Sequence, residues 1–166
     1  MIQELISDKN NEYTCTVVKV KHRISEVIIF KRILRSGDTY KAQPIRSNTI
    51  SDYVSKVANK LNFDGPCNFQ LRVDYNNIPK IFEINCRFSG TTPFCSQIGF
   101  NPVEYYLKKT LKKEYNYKIK YSVYILRYWS EVLIKNDTLK NIEKEKSIET
   151  DFKLKINLFD KINEKS

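Results

Sequence analysis

Glycine is scarce. Four glycines in 166 residues cannot furnish a glycine-rich loop that cradles phosphates with backbone amides, and no G-x-x-x-x-G-K-[ST] run occurs. One histidine, His22, and four cysteines without a C-x-x-C spacing (Cys15, Cys67, Cys86, Cys95) leave no set from which to assemble a zinc site. His22 falls where a turn between two strand-like runs is expected, so no Ser-His-Asp or Cys-His arrangement is available either. Long apolar runs are also missing: nothing approaches the roughly 18–20 residues of a membrane span. The N-terminal MIQELISDKN lacks the charged, apolar and small-residue regions of a signal peptide. The expectation is a cytoplasmic protein with reduced, packed thiols and no membrane partner.

What is present fits one folded domain. Hydrophobic residues make up 41% and aromatics 13%, too much for a disordered chain. The formal charge is +10, but in LKNIEKEKSIETDFKLK acidic residues interleave with the lysines, as on a solvated face. A nucleic-acid groove needs aromatics interleaved with cations on one face. Tyr105, Tyr106, Lys108 and Lys109 come nearest, yet an N-capped helix explains them better, so no nucleic acid is expected. Attraction for a polyphosphate is a milder use of the charge.

The chain reads as alternating strands and helices. YTCTVVKVKHRISEVIIFKRIL (13–34) is β-branched and aromatic, broken near Lys21–Glu26 into a hairpin. A loop, LRSGDTYKAQP, and a short extended segment ending at Pro44 follow. Ile50, Tyr53, Val54, Val57, Ala58 and Leu61 then recur at helical spacing, with Asn48 or Ser51 as the cap. After Gly65-Pro66 come CNFQLRVDY and IPKIFEIN, joined at Asn76-Asn77. A second helix opens at Asn101-Pro102 with Glu104 three residues after the cap, and Val103, Leu107 and Leu111 are expected on its buried side. YSVYILRYWSEVLI (121–134) reads as a last long strand, from which Arg127 and Trp129 either reach the site or pack, with packing favoured.

The stretch IFEINCRFSGTTP (81–93) runs apolar residues into evenly spaced polar ones, Glu83, Asn85 and Arg87. If Asn76 and Asn77 form a two-residue turn, Gln70 lies directly opposite Glu83. Side chains alternate along a strand, which places Asn68, Gln70, Arg72, Asp74, Glu83 and Asn85 on one face. Phe69, Leu71, Val73, Tyr75, Phe82 and Ile84 fall on the other, toward the core. Gln70, Glu83 and Asn85 then offer the hard oxygens that magnesium takes together with phosphate and water, and Arg87 continues toward the phosphates. Polar alternation would equally arise in any sheet with one solvent face.

FQLRVDYNNIPKIFEINCRFSGTTPF resembles the metal-binding end of an ATP-grasp domain, closest in flavour to the carbamoyl-phosphate synthase large subunit. That family places a Gln-bearing strand ahead of Glu-x-Asn-x-Arg. The resemblance implies that Gln70, Glu83 and Asn85 hold magnesium (manganese as a substitute) on ATP, and that Arg87 steadies phosphate. SGDTYKAQP resembles the synthase loop beside the reacting phosphates, with Arg35 where that family has histidine. QELISDKNNEYTCTV resembles its hinge strand, which implies Glu4 and Leu5 at the adenine and Glu12 at the ribose; Lys31 and Arg32 are assigned to the phosphates. Cys86 replaces the family's usual proline and faces away from the ligands.

The fold implied is α+β, an antiparallel sheet of about five or six strands with helices against one face. Residues 1–135 form the C-terminal ATP-grasp lobe and 136–166 a charged extension. The activity implied is ATP-dependent ligation of a carboxylate or bicarbonate to an amine, with a preceding ATP-grasp lobe supplied by the same or another chain. A non-catalytic nucleotide-binding module derived from that fold is the alternative.

Overall fold

In a computed structural model of the chain, the structure describes Ile6 and residues 11–128. The elements are β1 (Glu12–Val20), β2 (Arg23–Ile24), β3 (Ile28–Arg35), β4 (Asp38–Ile45), α1 (Asn48–Lys60), β5 (Gly65–Val73), β6 (Pro79–Asn85), α2 (Thr92–Gln97), α3 (Pro102–Thr110) and β7 (Ile125–Leu126). The strands form a seven-stranded antiparallel sheet in the order β6-β5-β1-β3-β4-β7, with the short β2 beside β1. None of the helices among the described residues is long and apolar enough to cross a membrane.

β1 is the centre, and its alternation organises both faces. Cys15 and Val17 join Ile50, Val54 and Ala58 of α1 in one core cluster. Val18 joins Phe94, Cys95, Ile98 and Phe100 in another, while Thr16 Oγ1 accepts from Cys95 Sγ. Helices therefore cover both faces, not the single face expected, because β1 is buried in both of its alternating series over Cys15–Val18, with only Thr16 polar. At the other end of the second face the covering helices stop. There Glu12 and Thr14 line an open cleft.

The α1 cap is Ser47, one residue before Asn48 and four before Ser51, the two expected caps: Ser47 Oγ accepts from the Ile50 amide. Its C-terminal carbonyls are closed by a buried lysine, Lys19, whose Nζ donates to the carbonyls of Ala58 (3.2 Å) and Leu61 (2.8 Å). On α3 the cap is as expected, with Asn101 Oδ1 accepting from Val103 and Glu104 amides. Its buried side is not. Val103, Leu107 and Leu111 are exposed, and Pro102, Tyr105 and Tyr106 face the protein, where Tyr105 packs on Phe100 and Tyr115. The aromatic rings bury more apolar surface than the aliphatic stripe and set the helix rotation.

Three strand expectations are corrected. The SGDTYKAQP segment is not an open loop; Ser36 and Gly37, both at positive φ, close a two-residue hairpin into the eight-residue β4. The expected long terminal strand is two residues, Ile125 and Leu126, among the described ones, and Trp129 lies outside them. The β5–β6 hairpin does not turn on Asn76-Asn77 alone. Val73 pairs with Pro79, and Asp74–Ile78 forms a loop in which Asp74 Oδ1 accepts from the amides of Asn76 and Ile78 and Asn77 takes positive φ. A one-residue bulge at Phe82 then restores the pairing of Gln70 with Glu83 and of Asn68 with Asn85. Phe82 and Ile84 are not core residues. Each is over a third exposed, since β6 is the sheet edge, and Tyr75 in the loop is almost fully exposed.

The three central strands are tied by one buried ionic triad. Glu12 on β1 is paired across the ladder with Arg72 on β5, and Arg32 on β3 flanks it from the other side. Arg32 Nη2 and Nε donate to Glu12 Oε1 at 2.7 and 3.2 Å; Arg72 Nη2 and Nε donate to Oε2 at 2.9 and 3.3 Å. Each carboxylate oxygen thus receives one arginine fork. Burial tends to raise the Glu12 pKa, but the hydrogen bonds and charges of Arg72 and Arg32 prevail and hold it below the usual carboxylate value.

A carboxyl whose folded pKa is depressed contributes stability above its unfolded pKa and loses it as pH falls through the folded value. Glu12→Gln, which strands two guanidinium groups, is expected to destabilise the fold by about 3–5 kcal/mol at neutral pH. Urea denaturation should show the gap between the two proteins narrowing as pH drops below 4.5, the ordinary value for this group.

Candidate functional site

The cleft measures about 940 Å³. Its floor is the uncovered face of β1, β3 and β5, bearing Thr14, Arg32, Asn68, Gln70 and the Glu12–Arg72 pair. One wall is β6 and the segment after it, with Lys80, Phe82, Glu83 and Arg87. The opposite wall is the β3–β4 hairpin, with Leu34, Gly37, Asp38 and Thr39. Ser89, Gly90, Thr91 and Arg127 close one end. Five cationic side chains line the cleft with three carboxylates; the triad takes two of the cations and one carboxylate, and the lining as a whole keeps a net positive charge that favours an anionic ligand.

The floor is prearranged. Arg32 spends a further donor on Gln70 Oε1 at 2.6 Å, and Asn68 Nδ2 donates to Thr14 Oγ1 at 2.7 Å. Among the described residues no buried side-chain polar atom lacks a partner. At the rim Asn85 Nδ2 donates to Glu83 Oε1, which leaves the second Glu83 oxygen and the Asn85 side-chain oxygen Oδ1 without a partner among the described residues. The turn behind them is held by its own hydroxyls: Ser89 Oγ meets Thr91 Oγ1 at 2.8 Å and accepts from the Thr91 amide. Arg127 seals this end, stacking 4.8 Å over Phe94 and donating to the Gly90 carbonyl.

Of the residues singled out in the sequence, Glu12, Arg32, Gln70, Glu83 and Arg87 line the cleft, and Asn85 adjoins it through Glu83. Lys31 does not. It pairs with Tyr13, whose side chain packs on the α1 side, so Lys31 lies on the opposite face of the sheet from Arg32. Arg35 is also outside the lining and rests near the Tyr40 ring, 5.6 Å from its centroid. Glu4 and Leu5 lie outside the described residues. Glu12 is 5% exposed and has both oxygens taken by arginines, which suits the floor and not an open acceptor for ribose hydroxyls.

Arg72, Lys80 and Phe82 also line the cleft and have no assigned place in it from the sequence. Arg72 had a signal, since it shares Gln70's face two residues on. Phe82 had none, because only the bulge brings it to the cleft. Arg127 was expected to pack, and it both packs on Phe94 and lines the cleft; its amide bonds to the Tyr40 carbonyl beside β7.

The donor chemistry admits a hard cation in part. Glu83 and Asn85 offer a carboxylate and an amide oxygen two residues apart on one side of a strand, the kind of partial set that magnesium completes with phosphate and water. Gln70 fits less well, because its oxygen already accepts from a guanidinium. No group of three or more His, Cys, Asp or Glu side chains suited to a metal occurs among the described residues. The set therefore fits a metal that arrives on a polyphosphate, not one caged by the protein alone.

Comparison with solved structures gives the same architecture. The N5-carboxyaminoimidazole synthetase of Staphylococcus aureus complexed with ADP superposes with a TM-score of 0.56 at 15% identity, covering 68% of this chain and 33% of that one. An ADP complex of N5-carboxyaminoimidazole ribonucleotide synthetase gives 0.60 at 9% identity, covering 84% and 38%. The biotin carboxylase subunit of pyruvate carboxylase gives 0.50 at 17%, covering 69% and 28%. At these identities the likeness is one of fold, and the chain spans about a third of the length of the structures it matches. The family described as "ATP-grasp in the biosynthetic pathway with Ter operon" matches residues 1–130, and the chain belongs to that ATP-grasp family.

Proposed function

We propose that this chain is the nucleotide- and magnesium-binding lobe of an ATP-dependent ligase that joins a carboxylate, or bicarbonate, to an amine, in the manner of carbamoyl-phosphate synthase. The observation that carries the reading is the Glu83–Asn85 pair on an edge strand, set beside a cleft lined by five cationic side chains and three carboxylates. The ADP bound in two of the solved structures of this fold supports the choice of nucleotide. The third-length coverage supports a second lobe, in the same or another chain, as the source of the remaining contacts and of substrate choice.

In the proposed reaction a carboxylate oxygen attacks the terminal phosphorus of ATP, ADP leaves, and an acyl phosphate results. The amine nitrogen then attacks the acyl carbon and inorganic phosphate departs. Glu83 and Asn85 would hold magnesium, which when bound supplies charge neutralisation at the phosphate oxygens. Arg87, Lys80 and Arg127 bring further positive charge to the cleft for the phosphates and the developing negative charge. Arg32 holds Gln70 and Glu12 in place and takes no part in the chemistry. Glu83 acts as a ligand, not as a general base.

A second reading is a nucleotide-binding module without turnover. It is favoured by Arg32 occupying the Gln70 oxygen and by Arg35 lying outside the cleft, which removes one group assigned to the metal and one assigned to the phosphates.

Calorimetric titration with ATP and magnesium is expected to show binding that EDTA abolishes or weakens strongly. Glu83→Gln should reduce the magnesium-dependent part of the affinity while leaving the melting temperature unchanged; equal affinity with and without magnesium in the parent protein would sink the metal assignment. Arg87→Ala, which removes a charge-assisted contact of about 1.5–3 kcal/mol, should weaken ATP binding roughly ten- to a hundredfold and adenosine binding hardly at all. ADP release assayed with carboxylates, bicarbonate and amines separates the readings: intact binding without turnover in the presence of the second lobe selects the module.

A further inference from the structure

On the far side of β6 from the cleft, two cysteines touch. Cys67 on β5 and Cys86 just beyond β6 stand one step past the Asn68–Asn85 pair, with their sulfurs 3.4 Å apart. All four cysteines are free thiols, but only these two are in mutual contact, and they differ in access: Cys67 is fully buried in the α1-side core and Cys86 is exposed. The ladder ends at the Asn68–Asn85 pair, and the sulfur contact itself, with one thiol on each side of that strand end, brings the two within reach of a disulfide.

We propose that Cys67 and Cys86 form a reversible disulfide that clamps the edge strand β6 to β5, with Cys86 as the thiol oxidised first by a hydroperoxide. The Cys86 thiolate attacks a peroxide oxygen, the O–O bond breaks, and the other oxygen leaves as an alcohol or water. Cys86 is then a sulfenic acid, oxidised by two electrons. Cys67 sulfur attacks the Cys86 sulfur, the S–S bond forms, and the S–O bond breaks to release water that carries away the Cys67 proton. Two thiols and one hydroperoxide give one disulfide, one alcohol or water, and one water. Burial and its thiol neighbour push the Cys67 pKa up, which suits a resolving thiol that waits for an oxidised partner.

The cross-link would act on the site through the backbone. Cys86 lies between Asn85 and Arg87, and the other side of the same strand end carries Glu83. An edge strand has ladder bonds on one side only, so a covalent tie there restrains the segment most free to fray. The inference goes beyond the ligase reading and stands without it.

The test treats the full chain with stoichiometric hydrogen peroxide, then counts thiols under denaturing conditions and maps cross-linked peptides by mass spectrometry. The expected result is a fall from four free thiols to two, a Cys67–Cys86 peptide pair in the monomer, slower hydrogen exchange at β6 amides, and full recovery with dithiothreitol. Cys86→Ser, at an exposed position, should fold normally and keep its remaining thiols under the same treatment. Four persistent thiols overturn the proposal. So does a cross-link that joins other cysteines or two chains, or a Cys86 sulfinic acid formed while Cys67 stays free.

Discussion

The Glu12 carboxylate, held by two guanidinium forks, is the contact on which the cleft depends. It lies on the central strand and reaches both neighbours, so it fixes β5, β1 and β3 in a single lateral row. Such a triad is not a cheap source of stability, since desolvating three charged groups costs much of what their attraction returns. What it supplies is position. Arg32, oriented by Glu12, in turn orients Gln70, and the row of charged groups forms a polar floor where the helices have left the sheet uncovered. A one-residue slip in any of the three strands would turn these groups into the opposite, apolar face.

Much of the fold could be read from periodicity. The β1–β3 hairpin, the α1 stripe through Ile50, Val54 and Ala58, and the Asn101 cap all follow from local rules that the tertiary structure does not overrule. The errors fall where two patterns compete. In α3 an aliphatic stripe and an aromatic pair both offer a buried side, and the Phe100–Tyr115–Tyr117 cluster decides for the aromatics. Phe82 and Ile84 both look like core residues, but the bulge moves Phe82 to the cleft wall, and for Ile84 alternation says only which face it takes. Whether anything covers that face is a matter of sheet order, and β6 turned out to be the edge.

The site shows the same division. Strand parity was enough to group Gln70, Glu83 and Asn85 and to give Arg72 their face. It was not applied to Lys31 and Arg32, which are adjacent on β3 and so necessarily face apart. The sequence alone leaves Glu12 open as a ligand acceptor, because it does not show which arginines stand beside a carboxylate. The pairing of Gln70 with Glu83 came out as expected for a reason not foreseen: the turn is one residue out of the assumed register, and the bulge returns it.

That bulge changes what an edge strand can deliver. A regular strand offers a cleft every second side chain, with the intervening one spent on the other face. By leaving Phe82 unpaired, β6 contributes an aromatic ring and a carboxylate, Phe82 and Glu83, from consecutive positions to one wall. The ring centroid lies 5.8 Å from the Arg72 guanidinium and sets an apolar plate on the wall that also carries Glu83. Charges near such a plate are less screened by water than charges on an open strand, so the strand edge gains electrostatic reach without gaining a charge.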